Sequence, residues 1–112
     1  MISNKGFDEA YITMKTDTAT VGYPVTVSAN GTVKNAAASK PFVGVLYNSR
    51  SDIGAVQVKG YAKLKYTGDT APALGLCSLL ANGTGGVSAG TGGLTVRVLS
   101  VNTADTTVEF LM

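Results

Sequence analysis

Ala55-Val-Gln-Val-Lys-Gly-Tyr-Ala-Lys-Leu-Lys-Tyr66 is the stretch that decides the fold. Val56, Val58, Gly60, Ala62, Leu64 and Tyr66 fall on one side of a two-residue period; Gln57, Lys59, Tyr61, Lys63 and Lys65 fall on the other. Extended chain turns successive side chains to opposite faces, whereas a helix repeats about every 3.6 residues. The alternation therefore predicts one long strand with a core face and a face that is wet or bound to a partner. Gly60, at its centre, predicts the bend or bulge that a barrel wall needs.

Working outward, the same signals recur. Tyr23-Pro-Val-Thr-Val27 alternates, with Pro24 suited to a strand start or edge. Asn30-Gly31 then predicts a tight hairpin that returns Val25–Ala29 onto Thr32–Ala36, because both residues tolerate the positive φ of a type I′ turn. Phe42-Val-Gly-Val-Leu-Tyr47 reads as a buried strand around Gly44. Leu74 to Leu80, Leu94 to Val101 and Thr106 to Met112 complete the set, with Thr67 to Pro72 as a turn and Ala81 to Gly93 as a glycine-rich hairpin or loop. About seven short strands separated by Gly, Asn and Asp turns predict an all-β barrel or sandwich, closed by the final strand. Residues 1–20 carry no sustained period. Phe7, Ala10, Tyr11 and Met14 have helix-like spacing over a turn or two, and this stretch is read as an N-terminal arm, extended or partner-bound, ahead of a single β-domain over 21–112. No internal repeat and no second domain is evident.

Composition narrows function. The chain has 112 residues, no histidine, no tryptophan and one cysteine. Histidine is the side chain that titrates near neutrality and the commonest general base and metal ligand, so its absence removes Ser/His/Asp and Cys/His triads and the usual zinc sites. A single cysteine forms no internal disulfide, and Cys77, in the apolar run Leu74-Gly-Leu-Cys-Ser-Leu-Leu80, reads as a buried, inert thiol. Charged residues make up 14% of the chain, against roughly 25% in an average domain. Such a surface predicts that part of it is covered in use. The net charge of +2 is too small to point to nucleic acid. The first residues, Met1 to Phe7, have no apolar signal region, and no run approaches the ~20 apolar residues of a membrane span. Synthesis in the cytoplasm and no membrane role are expected.

The motifs favour structure over chemistry. The glycine-rich segment has neither the Gly-Lys-Ser/Thr ending of a P-loop nor the spacing of a dinucleotide fingerprint, and no Lys or Arg lies between Asn82 and Val96. Asn30-Gly31-Thr32 and Asn82-Gly83-Thr84 match a glycosylation pattern but read as turns. Most of the acids lie at turns or in the arm, with Asp8-Glu9 the one adjacent pair, and they do not suggest the facing carboxylates of a glycosidase. Calcium on loop carbonyls with Asp69 or Asp105 stays open, without EF-hand spacing to support it. No enzyme and no cofactor is expected. Lys59, Tyr61, Lys63 and Lys65, an aromatic among cations, read as a solvated face, an interface to an acidic neighbour, or a strip for single-stranded nucleic acid, in falling order.

The order of Gly22-Tyr-Pro-Val-Thr-Val27, Asn30-Gly-Thr-Val33, Phe42-Val-Gly-Val45 and Ala55-Val-Gln-Val-Lys-Gly60 resembles the head decoration, or capsid cement, proteins of tailed bacteriophages. The last strand, Thr106 to Met112, matches more loosely, and Thr67 to Gly93 matches poorly. The resemblance implies a compact β-barrel or β-tulip fold, usually a homotrimer, made in the host cytoplasm and located on the virion. It implies the major capsid protein of the assembled head as partner, with stabilisation of the shell by bridging neighbouring subunits. In several relatives an N-terminal arm joins a capsid sheet; here the anchors of such an arm would be Phe7, Tyr11, Ile12 and Met14. A tail, baseplate or head-fibre component, or a β-barrel module for nucleic acid or glycan, are the competing readings. On either virion reading Asn30, Gly31, Gly44 and Gly60 serve as structural turn positions.

Overall fold

The computed structural model describes residues 9–68 and 70–112, and among these every regular element is a strand. In chain order they are β1 (Ala10–Thr16), β2 (Pro24–Ala29), β3 (Thr32–Asn35), β4 (Gly44–Arg50), β5 (Ile53–Lys59), β6 (Tyr61–Lys65), β7 (Gly75–Ala81), β8 (Val87–Ala89), β9 (Leu94–Asn102) and β10 (Thr107–Leu111). The all-β reading holds, with ten strands rather than seven. The three extra ones come from β1, from β8 inside the glycine-rich segment, and from the division of the 55–66 stretch at Gly60.

That division organises the molecule. The alternation continues through Gly60, but the backbone does not, since Gly60 takes φ of 109°. The strand leaves one sheet as β5 and enters another as β6. Strands β1 to β5 form a closed barrel in the order β1-β3-β2-β4-β5; strands β6 to β10 form a sheet in the order β6-β10-β9-β7-β8. Each half encloses its own core. Val25, Val33, Leu46 and Val56 fill the barrel, with Met14, Ala19 and Val58 packed against them. Leu79, Val87, Val96, Val98, Val108 and Phe110 are among the residues that fill the second half. Burying a side chain of this size stabilises by about 1.5–3 kcal/mol.

The two halves share one topology. In each, the first strand pairs antiparallel with the fifth, the fifth with the fourth, the fourth with the second and the second with the third. The ring is then closed by a parallel contact of the third strand with the first, β3 on β1 in one half and the bridge Tyr66↔Val87 in the other. Hydrogen bonds recur with it. The Thr16 N–H donates to the Asp52 carbonyl (2.7 Å) and the Tyr66 N–H to that of Thr106 (2.9 Å); the Asp17 N–H donates to Val33 (2.8 Å) and the Thr67 N–H to Val87 (2.9 Å). Even the bulge recurs: Tyr47 is the extra residue where β4 passes β5, and Leu99 where β9 passes β10. The chain is a duplicated five-strand unit, which corrects the reading that no repeat is present.

Several local expectations change as well. The helix-like spacing near Ala10 to Met14 belongs to a strand, because β1 alternates Met14 into the barrel with Tyr11, Thr13 and Lys15 on the other face. β1 pairs with both β3 and β5, so the described part of the supposed arm is barrel wall and a boundary at residue 20 does not follow the fold. At the first hairpin only Gly31 has positive φ (68°), so the turn is not type I′; a register shift between Val27 and Ala29 absorbs the strand twist instead. Gly44 is not a turn but the first residue of β4. A Cβ there would lie 2.9 Å from Val56 Cγ1, with the Gln57 carbonyl oxygen nearer still. The close approach of two backbones is what requires glycine.

Candidate interaction surfaces

The sequence singles out two groups of residues. Of the arm anchors, Phe7 lies outside the described residues. Tyr11 and Ile12 are exposed on β1, and Met14 is half-buried inside the barrel. Tyr11 meets Tyr47 edge to face, with ring centroids 4.9 Å apart, and its hydroxyl donates to Glu9 Oε1 at 2.9 Å. Burial first, then the bond to Glu9 and the charges of Glu9 and Tyr47, push its phenol up to about 12. The arrangement is an outward aromatic pair on a rigid strand, since Tyr47 is the residue that the β4 bulge displaces outward.

The second group does not stay together. Lys59 ends β5 in the barrel, whereas Tyr61, Lys63 and Lys65 belong to β6 in the other sheet, beyond the Gly60 bend. Across β6, Lys63 is opposite Glu109 and Tyr61 is opposite Leu111. The Tyr61 hydroxyl donates to Glu109 Oε1, and burial, followed by that bond and the nearby charge, pushes this phenol up to about 12 as well. The row continues through Arg97, opposite Leu111, to Leu76, opposite Arg97. Leu76 is 74% exposed and its neighbour Leu74 is 69% exposed. The outer face of β6, β10, β9 and β7 thus combines leucine with Lys63, Lys65 and Arg97.

Gln57, placed by the alternation on the wet face, is buried. Its Nε2 donates to the carbonyls of Tyr61 (2.8 Å) and Lys59 (3.3 Å), tying the backbone across the Gly60 bend. A carboxamide three residues before a strand glycine is a signal that could have indicated this role.

A cleft of about 310 Å³ lies where the halves meet, lined by Tyr23, Lys65, Thr67, Asn82, Thr84 and Gly86 among others. The Asn82 carboxamide oxygen accepts from the N–H groups of Thr84 and Gly86 (both 2.9 Å) and from the Thr84 hydroxyl (3.1 Å). The glycine-rich loop is therefore an organised Asn-centred turn, as turn chemistry predicts. Gly85 fits it to Tyr23, whose ring carbon would lie 2.7 Å from an added Cβ. No Asp or Glu among the described residues lines this cleft. Among the described residues no three of Cys, Asp and Glu converge on a point; Asp69 lies outside them, and Asp105 accepts from Asn102 Nδ2 at 3.2 Å in its own turn. Cys77 is half-buried rather than enclosed.

Compared with known proteins, the chain matches no family model, no curated protein and no solved structure.

Proposed function

We propose that this protein is a structural component of a phage virion that binds the outside of the assembled head, as a homotrimer, and stabilises the shell by bridging neighbouring major capsid subunits. It works by occupying a place and covering a surface rather than by turning over a substrate. The observation that carries the reading is the exposed apolar surface on a tightly packed, sparsely charged β protein. Leu74, Leu76 and Tyr47 each leave more than half of their surface in water. Large apolar side chains left in water on both halves support the reading of a surface that is covered in use. The order of valine and glycine motifs from Gly22 to Gly60 supplies the identity of the partner, by resemblance to capsid cement proteins. A specific interface buries about 1,600 Å² in total, and many copies acting on one shell make even modest contacts sufficient.

The test is cosedimentation of the purified protein with heads before and after expansion. Binding to expanded heads alone, with a raised temperature of head disruption, is the expected result. Equal binding to both, or to neither, defeats the reading. Salt-sensitive binding to single-stranded DNA would instead favour the nucleic-acid alternative, because phosphate contacts weaken steeply with salt.

A further inference from the structure

The duplication places the same three kinds of side chain at the same three positions of each half. Tyr11 and Tyr61 occupy one position of the first strand, and Lys15 and Lys65 another: Lys15 is opposite Ile53 and Lys65 opposite Thr107, each the first residue of its fifth strand, while the tyrosines lie four residues earlier opposite Gln57 and Leu111. The displaced bulge residues, Tyr47 and Leu99, complete the sets and are 58% and 43% exposed. Each tyrosine hydroxyl donates to a carboxylate, Glu9 in one half and Glu109 in the other, although these acids come from different places in the chain. In both halves the lysine of the set, Lys15 or Lys65, is exposed.

Core residues of the two halves differ freely in size, Val56 where the other half has Phe110 and Leu46 where it has Val98. Packing alone therefore does not demand a Tyr (exposed at Tyr11, half-buried at Tyr61), an exposed large bulge residue and an exposed Lys in both. A surface kept in duplicate fits a partner that is itself met in duplicate.

We infer that Tyr11/Tyr47/Lys15 and Tyr61/Leu99/Lys65 are two equivalent docking faces, each seating on the same acidic-edged apolar groove of one of two neighbouring copies of a capsid protein. This rests on the capsid reading above and deepens it by naming how the bridge is made. The apolar centre, Tyr47 or Leu99, enters the groove, and the lysine meets a carboxylate at its edge. Charge complementarity is stronger in the second half, where Lys63 and Arg97 add to Lys65; in the first half Arg50 adds to Lys15, with Asp52 beside it in the β4–β5 turn. Two linked contacts to a repeating partner gain over one by effective concentration, typically 10²–10⁴-fold in apparent affinity.

The experiment uses expanded heads stripped of this protein and four full-length chains: wild type, Y47S/K15E, L99S/K65E and the combination of all four substitutions. All altered residues are exposed, and circular dichroism and urea midpoints establish that each variant is folded. Either two-substitution variant should bind roughly 10²-fold or more weakly than wild type, because losing one of two linked contacts forfeits the avidity. The four-substitution variant should show no binding. If one pair of substitutions leaves binding at the wild-type level while the other abolishes it, the docking is one-sided and the inference falls while the capsid reading stands. Should the wild type itself fail to bind expanded heads, the capsid reading falls and takes the inference with it. A variant that unfolds is replaced by the charge reversal alone, K15E or K65E, for which at least a several-fold loss with each is expected and an unchanged affinity with either counts against the two-face arrangement.

Discussion

At the residue scale, the constraints are concentrated where two backbones or two faces meet. Gly44→Ala would drive a methyl group into the β5 backbone at Gln57, with Val56 Cγ1 also within 2.9 Å. Overpacking of this sort costs about 1–3 kcal/mol, so the urea midpoint should fall with an unchanged slope. Gln57→Leu has a different cause. It would keep the volume and leave the Lys59 and Tyr61 carbonyls without their donor at the Gly60 bend, a loss of about 1–3 kcal/mol on the same measurement. Tyr11 and Tyr61 make a pH prediction. Both phenols are held up to about 12 against 10 in a free chain, by burial and then by their acid partners. A raised folded-state value means that the folded protein keeps a proton that the unfolded chain gives up. The contribution is therefore complete below pH 10 and is lost as pH rises from 10 through 12. Thermal melts should show the decline across that window. A phenolate titration should lose one late-ionising group in Y11F and one in Y61F, with the partial exposure of both rings keeping the stability effect small.

At the element scale, the strand signals were legible and the way the strands associate was not. The 55–66 alternation, the Asn30-Gly31 hairpin and the apolar runs after residue 73 each correspond to strands, because period two and turn chemistry are local properties. What the alternation could not convey is that Gly60 hands the strand from one sheet to another, since side chains keep alternating through a change of partner. β1 was hidden for a related reason: Tyr11 and Ile12 are both exposed, so neither face of the strand reads as core. Its place is set by pairing with β3 and β5, which no local pattern encodes. The duplication was hidden because its traces are short. Ala29-Asn-Gly-Thr-Val33 matches Ala81-Asn-Gly-Thr-Gly-Gly-Val87 only once two glycines are set aside, and Tyr11 and Lys15 match Tyr61 and Lys65 across otherwise different residues. The interaction residues fared likewise: Tyr61 and Lys65 were legible as a face, but Tyr47 and Leu99 owe their exposure to bulges. A chain truncated to begin at residue 17 should accordingly not remain folded. Removing β1 exposes the edges of β3 and β5 and takes Met14 from the core, so loss of a cooperative urea transition and aggregation are expected. A truncated chain with a wild-type transition would show that β1 is dispensable.

At the scale of the whole molecule, the two halves are alike in topology but not independent. The loop from β3 to β4 leaves the barrel and lies on the other half. The Ser39 N–H donates to the Ala81 carbonyl and the Ala81 N–H to the Lys40 carbonyl, both at 2.9 Å. Phe42 and Ala36, from that same loop region, are buried in the core built by β6 to β10. The corresponding loop of the second half does not reciprocate: the N–H groups of Gly90 and Gly93 both turn back to Ser78 on β7. One half is thus completed by the other, and Phe42 is the side chain through which it happens. Phe42→Ala should cost about 3–5 kcal/mol, the range for an aromatic removed from a core. That loss should fall on the second half first, because the barrel core of Val25, Val33, Leu46 and Val56 does not contain Phe42. Wild-type protein is expected to unfold in a single urea transition. The variant should show amide exchange accelerating in β6 to β10 at denaturant concentrations where β1 to β5 remain protected. Uniform acceleration in both halves would mean that the barrel depends on its neighbour as much as the neighbour depends on Phe42, and the molecule would then have to be treated as one cooperative unit with two similar parts.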